Sequence, residues 1–157
     1  MSAFPEIAQL VPHAAPMLLL SRVVQHDGER TLCEAEMQQS ALFAGADGSV
    51  PAWVGIEYMA QCVAAHAGLE ARARGEEPRP GILLGSRRVR IRADAFRTGQ
   101  RLLVSARHHR GESGLVVFDC AVREAEDAEP LVECHLNSYV MSDWSEIERA
   151  ARTPNGS

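Results

Sequence analysis

Nothing in the 157 residues approaches the roughly 18–20 consecutive apolar positions of a membrane span. The N-terminus lacks a basic flank followed by an apolar core, so no secretion signal is expected and the expected location is the cytoplasm. The four cysteines, Cys33, Cys62, Cys120 and Cys134, are widely spaced and contain no CxxC or similar pair. They are expected to be buried, reduced thiols, with no metal site among them. There is no glycine-rich phosphate loop and no G-x-S-x-G elbow, so those standard chemistries are not signalled. A net charge of −5 argues against general nucleic-acid affinity. No internal repeat or linker divides the chain, whose length suits one domain with a real core.

The clearest element is a helix over residues 50–75. Ser49 or Val50 is expected to cap it, Pro51 to occupy its first turn, and Gly75 to stop it. One carboxylate, Glu57, interrupts its apolar first half, near the positive end of the helix dipole. Glu57, Gln61, Ala64 and Gly68 recur at helical spacing on one face, where a carboxylate and an amide backed by small residues could line a pocket. Glu57 facing solvent, or closing a structural hydrogen-bond network, is the alternative.

Before the helix, residues 1–10 read as a short helix or an ordered arm. Pro12 and Pro16 bracket His13 in an extended or turn-like stretch, which rigidifies a residue that could be aimed or merely packed. Residues 17–25 and 31–37 read as a hairpin about the turn at 26–28, and residues 38–49 as a loop. After the helix, strands are expected at 81–91, 101–109, 114–123 and 131–141, with a break at 93–99. The order, two strands, one long helix and about four strands, is an α+β pattern, and a helix rich in Ala and Gly suits the curve of an antiparallel sheet. Residues 145–157 form a polar tail, frayed helix or disordered, after a single domain at 1–144.

Other histidines carry weaker signals. His66 points away from Glu57 by helical geometry. His108 and His109 read as a solvated edge, His135 as a core residue, and His26 as part of a turn. Arg88, Arg90 and Arg92 alternate with Val89 and Ile91, which puts three guanidiniums on one strand face, either solvated or a docking patch for an acidic partner.

Two motifs resemble a known family. Residues 11–23, VPHAAPMLLLSRV, are similar to the opening PHRxPFLLVDRV of the FabZ- and FabA-type 3-hydroxyacyl-[acyl-carrier-protein] dehydratases. Residues 51–61, PAWVGIEYMAQ, resemble their PGVLxxEAMAQ, and Leu84-Gly85-Ser86 with Phe96 and Gly99 match a later strand and turn. AWVGIEYMAQ and LLGSRR bring the chain nearest to the ApeP-like subfamily, linked to aryl polyene biosynthesis. The resemblance implies a hotdog fold, built as a homodimer or a heterodimer with a second hotdog dehydratase. It implies a hydro-lyase that removes water from 3-hydroxyacyl thioesters to give 2-enoyl products. The substrate would ride on the phosphopantetheine of an acyl carrier protein, with no other cofactor.

By the same resemblance Glu57 falls on the catalytic acid. Gln61, Ala52, Trp53 and Phe43 would line the substrate, the N–H groups near Ala52 and Trp53 polarising the thioester carbonyl. Arg87, Arg88, Arg90 and Arg92 would dock the carrier. The family's catalytic histidine, fourteen positions before the acid, is replaced by Phe43. Either His13 takes the role of base, or Glu57 works alone or through water, or the chain is a catalytically weak partner of a complete dehydratase. A thioesterase on the same fold, with Glu57 activating water, is a further alternative.

Overall fold

The computed structural model describes residues 3–13, 16–37, 42–78, 81–109, 115–140 and 145–152. Among them, one long helix, α1 (Gly55–Ala73), lies against a six-stranded antiparallel sheet. The strands are β1 (Arg22–His26), β2 (Arg30–Glu36), β4 (Gly81–Ile91), β6 (Arg101–His109), β7 (Leu115–Arg123) and β8 (Val132–Val140), in spatial order β1-β2-β6-β7-β8-β4. A two-stranded pairing joins β3 (Val50–Pro51) to β5 (Ala95–Phe96), and α2 (Ser145–Arg152) forms within the stretch expected to be a polar tail. This is the hotdog arrangement that the sequence led us to expect. No helix among the described residues is long and apolar enough to cross a membrane.

The helix packs on β2, β6, β7 and β8, with Tyr58, Met59, Cys62, Ala65 and Leu69 on its buried face. They meet Leu102, Val104, Val122, Val132 and Leu136, all fully buried on the facing strands. All four cysteines are buried and free. Burial drives the Cys62 and Cys120 thiols well above the ordinary thiol range, so they are inert packing groups.

The helix ends as its glycine demands. Gly75 has φ +69°, its N–H donates to the Arg72 carbonyl at 3.0 Å, and the Glu76 N–H donates to the Ala71 carbonyl at 2.9 Å. Those two bonds make a Schellman cap, which a side chain at Gly75 would strain.

The start of the helix differs from expectation. Val50 and Pro51 pair with Phe96 and Ala95, and a 3-10 turn over Ala52–Val54 leads into α1 with no side-chain cap. The Ala52 N–H is satisfied instead by the Asp94 carbonyl at 3.1 Å. The strand expected at 17–25 is shortened to its last part. The Met17 carbonyl and the Leu19 N–H bond to the Gln61 side chain, so these groups are taken by the helix rather than by a ladder.

Two further expectations are corrected. Alternation from Arg88 to Arg92 is broken by a bulge between Arg87 and Arg90, where Arg88 adopts φ +53°. His135 lies on the face away from α1, beside Asp119, while its neighbours Cys134 and Leu136 fill the core.

The far half of α1 is tied to the β1–β2 hairpin through side chains. His26 Nε2 meets Glu70 Oε1 at 2.8 Å, and Thr31 Oγ1 lies 2.8 Å from both His26 Nδ1 and His66 Nδ1. One consistent assignment has His26 donating to Glu70, Thr31 donating to His26, and His66 donating to Thr31. His66 is only 4% exposed, and burial, with the His26 ring beside it, pushes its pKa down from 6.5 to about 4.

The folded chain therefore keeps His66 neutral while the unfolded chain protonates it. Its contribution is intact above pH 6.5 and is lost as the pH falls toward 4. In urea unfolding at pH 7 and pH 4.5, the wild type should lose up to about 2.5 kcal/mol more than His66→Gln. Equal losses would show that His66 does not titrate differently in the two states.

Candidate active site

Glu57 sits in the first turn of α1, where the helix dipole favours its negative charge. Its Oε1 accepts from Gln61 Nε2 at 3.0 Å, one turn further along. Gln61 is fully buried, and its other amide hydrogen goes to the Met17 carbonyl at 2.7 Å while its Oε1 accepts from the Leu19 N–H at 2.9 Å. Because the Leu19 N–H can only donate, the amide oxygen must face it, which aims both amide hydrogens correctly. Gln61 is thus a strut behind Glu57 with its polar atoms fully used.

His13 arrives from a different part of the chain. Ile7–Gln9 forms a 3-10 turn, Leu10 and Val11 are buried against α1, and exposed Pro12 leads to His13. The His13 Nε2 then lies 3.3 Å from Glu57 Oε1, with the two side chains 28% and 35% exposed. His13 Nδ1 is buried with no hydrogen-bonding partner among the described residues. Nε2 is therefore the ring nitrogen that can exchange a proton with Glu57 or with a ligand.

Both residues line a groove of about 740 Å³ that runs along α1 past Ala60, Val63, Ala64 and Ala67. Its far wall includes His66, His108 and Phe118. His108, expected at a solvated edge, instead stacks on His66 with ring centroids 5.9 Å apart and tilts onto Phe118 at 5.3 Å. Only His109 of that pair turns outward, to Asp119 at 2.5 Å. Among the described residues no group of three or more His, Cys, Asp or Glu side chains is arranged to hold a metal ion.

The remaining candidates lie elsewhere. Phe43 and Trp53 form their own edge-to-face pair, with centroids 6.5 Å apart, and Trp53 is 59% exposed. Neither belongs to the walls of the groove. Ala52 is buried and its N–H is already bonded to Asp94, which removes it from the donors that could polarise a carbonyl and leaves the Trp53 N–H as the candidate.

Arg87, Arg88 and Arg90 sit on the edge strand β4, and Arg92 follows its end. Arg90 pairs with Glu133 at 3.7 Å, and Arg92 with Glu129 at 3.2 Å and Glu133 at 3.1 Å. Arg87 and Arg88 make no ion pair among the described residues. Arg88 and Arg90, with Arg107 and Arg123, border a concavity of about 570 Å³ around Asp119. Helical spacing could point to Glu57 and Gln61, but no periodicity relates residue 13 to residue 57, and none marked His108.

A family model for the ApeP dehydratases matches residues 5–149. The chain belongs to the ApeP-like dehydratase family. Over 96% of its length this ApeP-like chain is similar to 99% of a chain in the dehydratase heterocomplex ApeI:P from Xenorhabdus doucetiae, with 26% identity and a TM-score of 0.87. The uncharacterized protein PH1136 from Pyrococcus horikoshii shares the fold at 13% identity and a TM-score of 0.63, over 89% of this chain and 97% of that one. So does a mutant of the thioesterase PA1618 from Pseudomonas aeruginosa, at 14% identity and 0.57, over 76% and 80%. No curated protein matches.

Replacing Gln61 with Leu strands the Leu19 N–H and the Met17 carbonyl in a partly buried site. The expected loss is about 1–3 kcal/mol in urea unfolding, with faster amide exchange at Leu19. Unchanged stability and exchange would mean that Gln61 is not the strut of the ApeP-like site.

Proposed function

We propose that this chain dehydrates 3-hydroxyacyl thioesters carried on an acyl carrier protein, using His13 as base and Glu57 as acid. The observation that carries the reading is the 3.3 Å approach of His13 Nε2 to Glu57 Oε1 at the wall of one groove. Phe43 cannot transfer a proton, and the N-terminal arm brings a group that can, His13, to the carboxylate.

The chemistry closes on itself. His13 Nε2 takes the C2 proton, the C–H electron pair becomes the C2=C3 bond, and the C3–O bond breaks. Glu57 protonates the departing hydroxyl, which leaves as water. The proton held on Nε2 then crosses to the Glu57 carboxylate, and the pair is reset with its single mobile proton. Gln61 keeps one carboxyl oxygen fixed throughout, which leaves the other for the substrate.

The second reading is a subunit that works with another hotdog chain. It is favoured by the similarity to a chain of the ApeI:P heterocomplex and by the edge of the sheet. Among the described residues strand β4 pairs only with β8, and Leu83, Leu84, Val89 and Ile91 on it are exposed. A long strand edge with exposed apolar side chains is normally covered. The two readings are compatible: the reacting pair can belong to this chain while a partner closes the groove. Carrier docking is proposed at Arg87 and Arg88, the members of the arginine stretch that make no ion pair among the described residues.

With a 3-hydroxyacyl thioester, Glu57→Gln and His13→Ala should each lower turnover by about 10²–10⁴-fold, with the 2-enoyl thioester as the wild-type product. Full turnover in both variants would remove the assigned pair, and release of free acid would make the protein a thioesterase instead. Activity of the chain purified alone would exclude a purely supporting role.

The doubly substituted Arg87→Glu, Arg88→Glu chain should raise KM several-fold for carrier-borne substrate and leave KM for a small-molecule thioester unchanged. Equal effects on both substrates would move carrier docking elsewhere.

A further inference from the structure

The helix face that carries Glu57 also carries a contact that the proposed reaction does not use. A Cβ built on Gly68 would stand 2.5 Å from the Leu10 carbonyl oxygen, 3.1 Å from its Cα and 3.2 Å from its carbonyl carbon. These are backbone atoms, so no side-chain rotation relieves the clash. Gly68 lies inside α1, where glycine costs about 0.5–1 kcal/mol relative to alanine. The helix thus forgoes stability at a point where the N-terminal arm comes to rest on it.

Glycine here governs the reach of His13. The eleven residues from Glu57 to Gly68 rise about 16.5 Å along α1 and return to nearly the same face. The three steps from Leu10 to His13 span at most about 10–11 Å. The remaining distance of about 6 Å is bridged by the His13 and Glu57 side chains and the 3.3 Å gap between them. The ring itself is held by one polar contact, to Glu57, since Nδ1 has no partner among the described residues. Its position must therefore come from the backbone, seated at Leu10 on Gly68 before it and at Met17 and Leu19 on Gln61 after it.

We infer that Gly68 is a positioning residue for the reaction: by having no side chain, it seats Leu10 on α1 and sets the approach of His13 to Glu57. The inference rests on the reading of His13 and Glu57 as the reacting pair. An alanine at 68 requires Leu10 to retreat by about 1 Å to reach ordinary contact, and a displacement of that size can cost about 10²-fold in rate.

The experiment compares Gly68→Ala, Pro12→Gly and His13→Ala in the purified enzyme, with any hotdog chain that co-purifies, on a 3-hydroxyacyl thioester. The His13 ring is followed in parallel through its proton–carbon NMR cross-peak, assigned by its disappearance in His13→Ala. Gly68→Ala should lower kcat by about 10²-fold at unchanged KM and move the His13 cross-peak toward its position in Glu57→Gln. Added to His13→Ala, it should cost nothing further, because the two substitutions remove the same interaction. Full kcat with an unmoved cross-peak in Gly68→Ala overturns the inference.

If Gly68→Ala does not fold, Pro12→Gly decides, since it loosens the arm at an exposed position without touching the core. It should lower kcat and move the same cross-peak, and the inference falls if neither changes. Wild-type turnover in His13→Ala would instead overturn the reading of the pair. In that case the cross-peak in Gly68→Ala still reports whether Gly68 sets the ring position.

Discussion

Three hydrogen bonds to one buried amide decide much of this fold. Gln61 takes the Met17 carbonyl, the Leu19 N–H and one oxygen of Glu57 at once. A buried amide left half-satisfied is costly, so the three partners are fixed together or not at all. That single constraint lays the stretch after His13 along α1, keeps it out of the sheet, and orients the carboxylate. The sheet supplies the wall behind the helix, but Gln61 determines which face of the helix the chain crosses.

The second half of α1 is held by different chemistry. Glu70, His26, Thr31 and His66 form a continuous run of hydrogen bonds from the helix to the hairpin, and burial keeps His66 neutral. The arrangement gives the two ends of the groove different sensitivities. At the Glu57 end the protons are mobile by design of the proposed chemistry, whereas at the His66 end a proton gained is stability lost. An acid limb in a rate profile would therefore contain both effects, and a His66→Gln background would separate them.

Much of this was legible in the sequence where periodicity or a single residue's physics was strong. The long helix followed from its small and apolar residues, its stop from Gly75, and the hairpin from alternating strands about Gly28. Glu57 stood out as a charge in an apolar stretch, and His13 as a histidine held between prolines. What escaped depends on contacts distant in sequence. The pairing of Val50–Pro51 with Ala95–Phe96 is too short to have a period. The apolar stretch at 17–21 reads like the start of a strand, yet Gln61 claims its main chain. The bulge at Arg88 broke an arginine pattern that regular alternation would have aligned, and His108 turned inward because His66 and Phe118 offered it ring faces.

The meeting of His13 and Glu57 belongs to that second class, and the helix explains how it is achieved. Glu57, Gln61 and Gly68 share one face of a rigid element, so the carboxylate and both seats of the arm are fixed relative to one another by helical geometry alone. Among the described residues no hydrogen bond holds the far ring nitrogen of His13. The arm is set down at Leu10 on Gly68 and at Met17 and Leu19 on Gln61, and the histidine between them falls on the carboxylate. With Phe43 at the position where the resemblance implies a histidine, that suspended arm is the feature on which the proposed base depends.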